Sequence, residues 1–302
     1  MDRGAERGAI VRNLVEVHDR DVRDPLFQHP DAGVDNRLAI LRGMIFRILA
    51  KVSQLARTST ANGLDRELLL DGVHLLAEAL SSGMRIDVAA FERAILEQPD
   101  ARSLAERLTA AGTEVLIVSR NVLHAMSPVT TPSGVVGIAR RAMVSLRAAL
   151  RGTSALVVLA HDVQDPGNVG ALLRTAEAAG ATAFVACGAT ADPLGWKALR
   201  GSMGSALRLP IARADVAEAL RGCKDAGIQV AALAPRAGDP LFAADLRRPL
   251  ALLFGNEGAG LPEELVRQAD RRISIPMEGP VESLNVAVSA ALVLYEALRQ
   301  RT

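Results

Sequence analysis

From Glu67 onward, short apolar runs alternate with segments of helical period, and glycines close many of the helical segments. ELLLDG (67–72) reads as a strand, and VHLLAEALSSG (73–83) as a helix closed by Gly83. RIDVAAFE (85–92) and TEVLIVS (113–119) are strand candidates. Between them DARSLAERLTAAG (100–112) is a helix, with Asp100 as N-cap and Gly112 beyond its end. RNVLHAM (120–126) is a short helix, TTPSGVVGIARR (130–141) a turn entering a strand, and RRAMVSLRAALRGTS (140–154) a basic helical connector. ALVVLAHDV (155–163) is a continuous apolar strand of the kind buried on both faces in parallel sheets. The same rhythm then gives helices at NVGALLRTAEAAG (168–180), PLGWKALRGSMG (193–204), DVAEALRGCKDAG (215–227) and LPEELVRQA (261–269). Strands fall at ATAFVAC (181–187), LRLPIA (207–212), IQVAALAP (228–235), PLALLFG (249–255) and RRISIP (271–276). Such alternation predicts a small α/β domain in the first half and, from Ala155 on, a second domain with a parallel sheet covered on both sides.

The last segment breaks the amphipathic pattern. NVAVSAALVLYEAL (285–298) leaves no helical face for water. A helix apolar all round must be buried all round. One face packs on its own sheet, and the simplest cover for the other is a second copy of the chain, so this helix predicts a homodimer. It is too short for a bilayer span and contains Glu296. At the other end, residues 1–36 are charged and weakly periodic and read as an extension, partly disordered or loosely helical. Residues 37–57 read as a basic amphipathic helix, with a membrane-surface helix as the rival reading.

Composition adds constraints. The 302 residues suffice for two domains, and aromatics are only 3 %, so the cores are built from Ala, Val and Leu. Cys187 and Cys223 match neither a disulfide framework nor a zinc site, which points to a reducing cytoplasm; no metal site is expected. The N-terminal stretch lacks the pattern of a secretory signal. Net charge is +1, but its distribution is uneven. Residues 36–64, 115–161 and 193–214 contain no acid, yet carry Arg37, Arg42, Arg47, Lys51 and Arg57; Arg120, Arg140, Arg141, Arg147 and Arg151; and Lys197, Arg200, Arg208 and Arg213. Acid-free basic windows suit contact with nucleic-acid phosphates, and equally suit solvated helix faces.

Three polar loops follow strands of the second half, where ligands bind in open α/β sheets. In HDVQDPGNVGALLRTAEAAG (161–180), Asp165-Pro166-Gly167 makes a turn and Asn168 can cap the helix. Arg174 stands among apolar or small residues, either for function or to pair with Glu177 three residues on. In LLFGNEGAGLPEEL (252–265), Gly255, Gly258 and Gly260 permit close backbone approach, but their order is not the dinucleotide fingerprint. Glu257 either takes part in chemistry or bonds loop amides. In IPMEGPVESLN (275–285), Ser283 or Glu282 can cap the terminal helix, with the Asn285 amide in the first turn facing a ligand.

Together, DPGNVGALLRTAEAAGA, LLFGNEGAGLPEEL and ISIPMEGPVESLNVAVSAALVLYEAL resemble, in order and spacing, the three signature motifs of the SpoU-type RNA 2'-O-ribose methyltransferases of the SPOUT superfamily. LLLDGVHLLAEAL resembles the ribosomal-protein-like RNA-binding domain that precedes the catalytic domain in many members. The resemblance implies a trefoil-knotted catalytic domain at 150–302, preceded by an RNA substrate-binding domain at 37–149 and the extension 1–36. It implies S-adenosylmethionine as cofactor, held by ALAP, GNEG and IPMEGPVESLN, with Leu233, Gly255, Ile275, Leu284 and Asn285 lining the pocket. It implies transfer of the methyl to a ribose 2'-hydroxyl, with Arg174, Asn168, Glu257, Ser283 and Asn285 as the polar site residues, and dimerisation through the terminal helix. Because a guanidinium holds its proton far above neutral pH, Arg174 suits stabilisation of a developing alkoxide better than proton removal. The leading domain favours 23S ribosomal RNA as substrate. The alternatives are transfer RNA, or a non-catalytic RNA-binding or ribosome-assembly factor on the same scaffold. The chain departs from the family pattern in residues 1–36, and in ELLLDG, where relatives often have an aromatic residue.

Overall fold

The computed structural model describes residues 15–17, 48, 51, 54, 65–129, 131–234 and 238–302. They fall into two compact units: one from the described parts of Met1–Ser59 and Glu67–Arg141, the other from those of Thr60–Arg66 and Ala142–Thr302.

The first unit contains β1 (Val15–Val17), β2 (Asp65–Asp71, shared at its start with the second unit), α1 (Val73–Ser81), β3 (Ile86–Glu92), α2 (Pro99–Ala110), β4 (Glu114–Val118), α3 (Arg120–Met126) and β5 (Val135–Ala142). Among the described residues its strands form one sheet in the order β1-β4-β3-β5-β2. These strands carry the buried core of the unit: Leu68, Leu70, Phe91, Leu116 and Val136 are all 2 % exposed or less. The strand at Val15–Val17 runs parallel to β4 and corrects the reading of 1–36 as disordered or loosely helical at that point. The rest of 1–36 lies outside the described residues, as does most of the basic helix expected over 37–57; Ile48, Lys51 and Gln54 are helical. Helix α2 starts at Pro99 with Gln98 as its N-cap, so Asp100 sits in the first turn and is not the cap. Proline is favoured there because the first turn needs no N–H.

The second unit contains α4 (Leu146–Ala149), β6 (Leu156–His161), α5 (Pro166–Ala178), β7 (Ala183–Cys187), α6 (Trp196–Ser202), α7 (Ser205–Arg208), β8 (Ile211–Ala214), α8 (Val216–Asp225), β9 (Gln229–Leu233), β10 (Asp239–Pro240), β11 (Leu250–Phe254), α9 (Glu263–Gln268), β12 (Arg271–Ser274) and α10 (Val286–Arg301). The expected long basic connector is not one helix: β5 runs through to Ala142, and only α4, capped by the Ser145 hydroxyl, is helical. LRLPIA is likewise divided, its Leu207 and Arg208 closing α7 before β8 begins. Met203 takes a left-handed conformation between α6 and α7.

All strand pairs of this sheet are parallel, in the order β10-β12-β9-β11-β6-β7-β8. The chain therefore crosses from β8 at one edge to β9 beyond β6, returns with β11 into the gap between β9 and β6, and leaves again to β12 outside β9. Three neighbouring strands, β12, β9 and β11, thus end side by side. The fully apolar strands agree with burial on both faces. Helices α5 and α6 cross closely at glycine: a Cβ on Gly170 would lie 2.7 Å from the Ala198 carbonyl oxygen and 2.9 Å from the Gly201 Cα.

Helix α10 packs on α5, burying Val286, Ala290, Val293, Leu294 and Ala297. Its other side is apolar but uncovered in the single chain, with Val288 49 %, Leu292 41 % and Tyr295 52 % exposed. The C-terminal turn is stapled down. Gln300 donates to the Ala244 carbonyl at 2.9 Å and accepts from the Leu246 N–H at 2.8 Å, while Arg301 donates to the carbonyls of Leu246, Arg248, Ser154 and Ala155. Among the described residues no helix is long and apolar enough to cross a membrane.

Candidate active site

The site lies at the carboxyl ends of β9, β11 and β12, where three loops meet around a cavity of about 530 Å³. Leu233 closes β9, Phe254 closes β11 and Ile275 follows β12; all three line the cavity together with Gly255, Ser283 and Leu284. Four of the five residues expected to hold a cofactor, Leu233, Gly255, Ile275 and Leu284, are thus brought together, while Asn285 does not line the space. Pro235, the end of ALAP, lies outside the described residues. A largely preformed pocket of this size is typical for a small-molecule ligand.

The second loop is shaped by its own backbone. Asn256 and Gly260 exchange N–H···O bonds at 3.1 and 3.0 Å, and a Cβ on Gly255 would fall 2.5 Å from the Gly260 carbonyl. Gly255 is therefore required by the loop closing on itself, and Gly260 by its φ of +69°. Asn256 was not singled out from the sequence. Its Oδ1 accepts from the N–H groups of Gly258 and Ala259, and its Nδ2 donates to the Asp162 carbonyl at 2.9 Å. The N-x-G pattern in GNEGAG is the signal for this Asx turn.

One hydrogen-bond chain ties the loop after β6 to the second and third of these loops. Glu257 accepts from the N–H groups of Gln164 and Asp165 at 3.3 and 3.2 Å, and from Asn168 Nδ2 at 3.0 Å. A carboxylate can only accept, so the Asn168 amide nitrogen faces it and Asn168 Oδ1 is left to accept from Asn285 Nδ2 at 3.1 Å. Asn285 Oδ1 then accepts from the N–H groups of Ala287 and Val288 and caps α10. This corrects two expectations. The cap of α10 is Asn285, not Ser283 or Glu282; the cap of α5 is Asp165, whose Oδ1 accepts from Gly167 and Asn168 N–H groups, not Asn168. Freed from capping, the Asn168 side chain becomes the middle link. Burial pushes the Glu257 carboxyl up, but the Asn168 amide and the backbone N–H groups outweigh it and hold the group below its usual pKa.

Arg174 sits on the outer side of α5, exposed, while Leu172, Leu173 and Ala176 face inward. The alternative pairing with Glu177 is not made: Arg208 holds Glu177 by two bonds of 2.7 and 2.8 Å, and Arg174 has no hydrogen-bond or ion-pair partner among the described residues. Other cations of the basic windows are committed. Arg140 pairs with Asp87, Lys51 with Glu67, and Arg213 donates to the Thr190 carbonyl. Arg120, Arg147, Arg151, Lys197 and Arg200 are exposed.

A family model described as the SpoU rRNA Methylase family matches residues 155–295. The chain is 35 % identical over 236 residues to a tRNA/rRNA methyltransferase of Synechocystis, covering 78 % of this chain and 85 % of that protein. It belongs to the SpoU methylase family. A second family model, the MRM3-like substrate binding domain, matches residues 64–137. The Bacillus subtilis 23S rRNA (guanosine(2553)-2'-O)-methyltransferase RlmP is 33 % identical over 75 % of this chain and 86 % of its own length. The crystal structure of an AdoMet-bound rRNA methyltransferase from Sinorhizobium meliloti superposes with a TM-score of 0.74 at 30 % identity, covering 95 % of this chain and 98 % of that one. Within this family the cavity and the joined loops are the expected place for S-adenosylmethionine. The residues present fit it: a preformed, mostly apolar space at strand ends, lined by Leu233, Ala234, Phe254, Ile275 and Leu284 beside the polar Asn256 and Ser283.

Proposed function

We propose that this chain methylates a ribose 2'-hydroxyl in 23S ribosomal RNA, with S-adenosylmethionine held by Leu233, Gly255, Ile275 and Leu284. When bound, the cofactor supplies a sulfonium methyl for transfer. The Glu257–Asn168–Asn285 chain keeps the loops in place around it, so the entropy of ordering them is met before the reaction, and Ser283 offers a hydroxyl on the cavity wall. Arg174 offers a guanidinium that no internal acid neutralises, suited to an RNA phosphate or to the charge developing on the 2'-oxygen. That unpaired Arg174, on the helix tied through Asn168 to the cavity loops, is the observation that carries the reading.

The decisive test is transfer of a tritiated methyl group to ribosomal RNA. Wild type should transfer and Arg174→Ala should lose about 10²–10³-fold in rate, with cofactor affinity unchanged within twofold by calorimetry. Binding of RNA without transfer by either protein would make this a non-catalytic RNA-binding factor, and transfer to tRNA alone would move the substrate.

The homodimer belongs to the same proposal: the exposed Val288, Leu292 and Tyr295 supply an apolar stripe on α10 for a second copy. So does the trefoil knot, with which the placing of β11 between β9 and β6 agrees. Residues 37–149 are assigned to RNA binding, 150–302 to catalysis, and the cytoplasm is assigned as the place of action because the substrate is ribosomal.

A further inference from the structure

Most polar side chains around the cavity are already used. Asn256 spends both ends of its amide on backbone, and Glu257 is taken up by Asn168 and two N–H groups. Arg272 differs. It lines the cavity and is partly buried, yet has no hydrogen-bond or ion-pair partner among the described residues. Its neighbour Arg271, by contrast, is tied to Asp239 at 2.8 Å and to the Asp245 carbonyl at 2.9 Å. Register places Arg272 opposite Ala232 of β9, on the sheet face where Ala232 and Val266 of α9 pack. The cavity is also lined by Glu263 of α9 and by Glu282 of the third loop.

Resting on the cofactor reading above, we propose that Arg272 binds the carboxylate of the amino-acid end of S-adenosylmethionine and so sets the cavity's preference for ligands that carry that group. The charges leave few other positions. The cofactor has a cationic sulfonium, a cationic ammonium and one anionic carboxylate, and a guanidinium beside either cation would be repelled. A carboxylate matches the guanidinium fork with two parallel hydrogen bonds. A wall that carries Arg272, unpartnered among the described residues, together with acidic side chains is complementary to a zwitterionic head rather than to an uncharged or singly charged one.

The test compares three ligands by calorimetry: S-adenosylmethionine, its decarboxylated analogue and 5'-methylthioadenosine, which keeps the nucleoside and lacks the amino acid. Wild type should prefer S-adenosylmethionine over the decarboxylated analogue by about 10–100-fold, the range for a charged hydrogen-bonded contact. Arg272→Gln should abolish that preference and bind methylthioadenosine as wild type does, which also shows the variant to be folded. Equal weakening of all three ligands would assign Arg272 to the nucleoside and overturn the inference, as would a preference that survives the substitution. If Arg272→Gln does not hold methylthioadenosine, Arg272→Lys replaces it: the preference should fall several-fold, and an undiminished one overturns the inference. A wild type that binds none of the three ligands overturns the cofactor reading itself, and this inference with it.

Discussion

Asn285 shows how one side chain can carry two duties. Its Oδ1 caps α10 while its Nδ2 holds Asn168, so the two can be separated by substitution. Asn285→Ala should cost about 1 kcal/mol through loss of the cap and lower the Tm. Asn285→Asp keeps a capping oxygen but sets a carboxylate against Asn168 Oδ1; it should hold the Tm yet bind cofactor more weakly, and equal affinity would show that the link is not needed. Glu257 yields a pH prediction. Its pKa is depressed in the folded state, so its contribution to stability is complete above the unfolded value and is lost as pH falls through the folded one. The Tm advantage of wild type over Glu257→Gln should therefore shrink below about pH 4.3 and be constant at neutral pH. These residues were legible as polar loop positions in the sequence. Their partners were not, because Glu257 lies far along the chain from Asn168, and only folding brings the two within 3.0 Å.

The terminal helix shows what the apolar pattern conveys at the scale of an element. A run without a polar face signals two apolar sides, but it cannot say which residue belongs to which. The structure separates them: Leu294 is fully buried within the chain, whereas Leu292 is on the outer stripe with Val288 and Tyr295. A Glu at 294 would bury an unpaired charge and unfold the protein, so it reports nothing about assembly. Leu292→Glu combined with Tyr295→Glu should instead give a folded monomer by light scattering; a persistent dimer would place the interface elsewhere. Gly170 is a second element-scale case. Gly170→Ala forces α5 away from α6 at a contact of 2.7 Å to backbone, and a loss of about 1–3 kcal/mol is expected from overpacking, measured by urea unfolding. Nothing in the sequence around Gly170 announces this contact, since the facing backbone belongs to residues 198–201.

For the molecule as a whole, the distribution of charge matters more than its sum. Arg140, Lys51, Arg208 and Arg213 are held by acids or carbonyls from other segments, so an acid-free window in sequence is not acid-free in space. RNA affinity should still fall steeply with salt through the exposed Arg120, Arg147, Arg151, Lys197 and Arg200; a flat dependence would remove these residues from the RNA surface. The two cysteines report on global unfolding. Burial pushes both thiols up to about 12, so neither should react with a thiol reagent at neutral pH until the chain unfolds. Local periodicity, glycine punctuation and three ordered motifs determined most of the elements, the parallel α/β class of the second unit and the family, because each is written in residues close together along the chain. Strand order, the joining of the loops through Glu257, Asn168 and Asn285, the freedom of Arg174 and the bareness of Arg272 were decided only by tertiary structure. Each depends on which distant acid, amide or carbonyl arrives beside a given side chain, and local pattern carries no record of that.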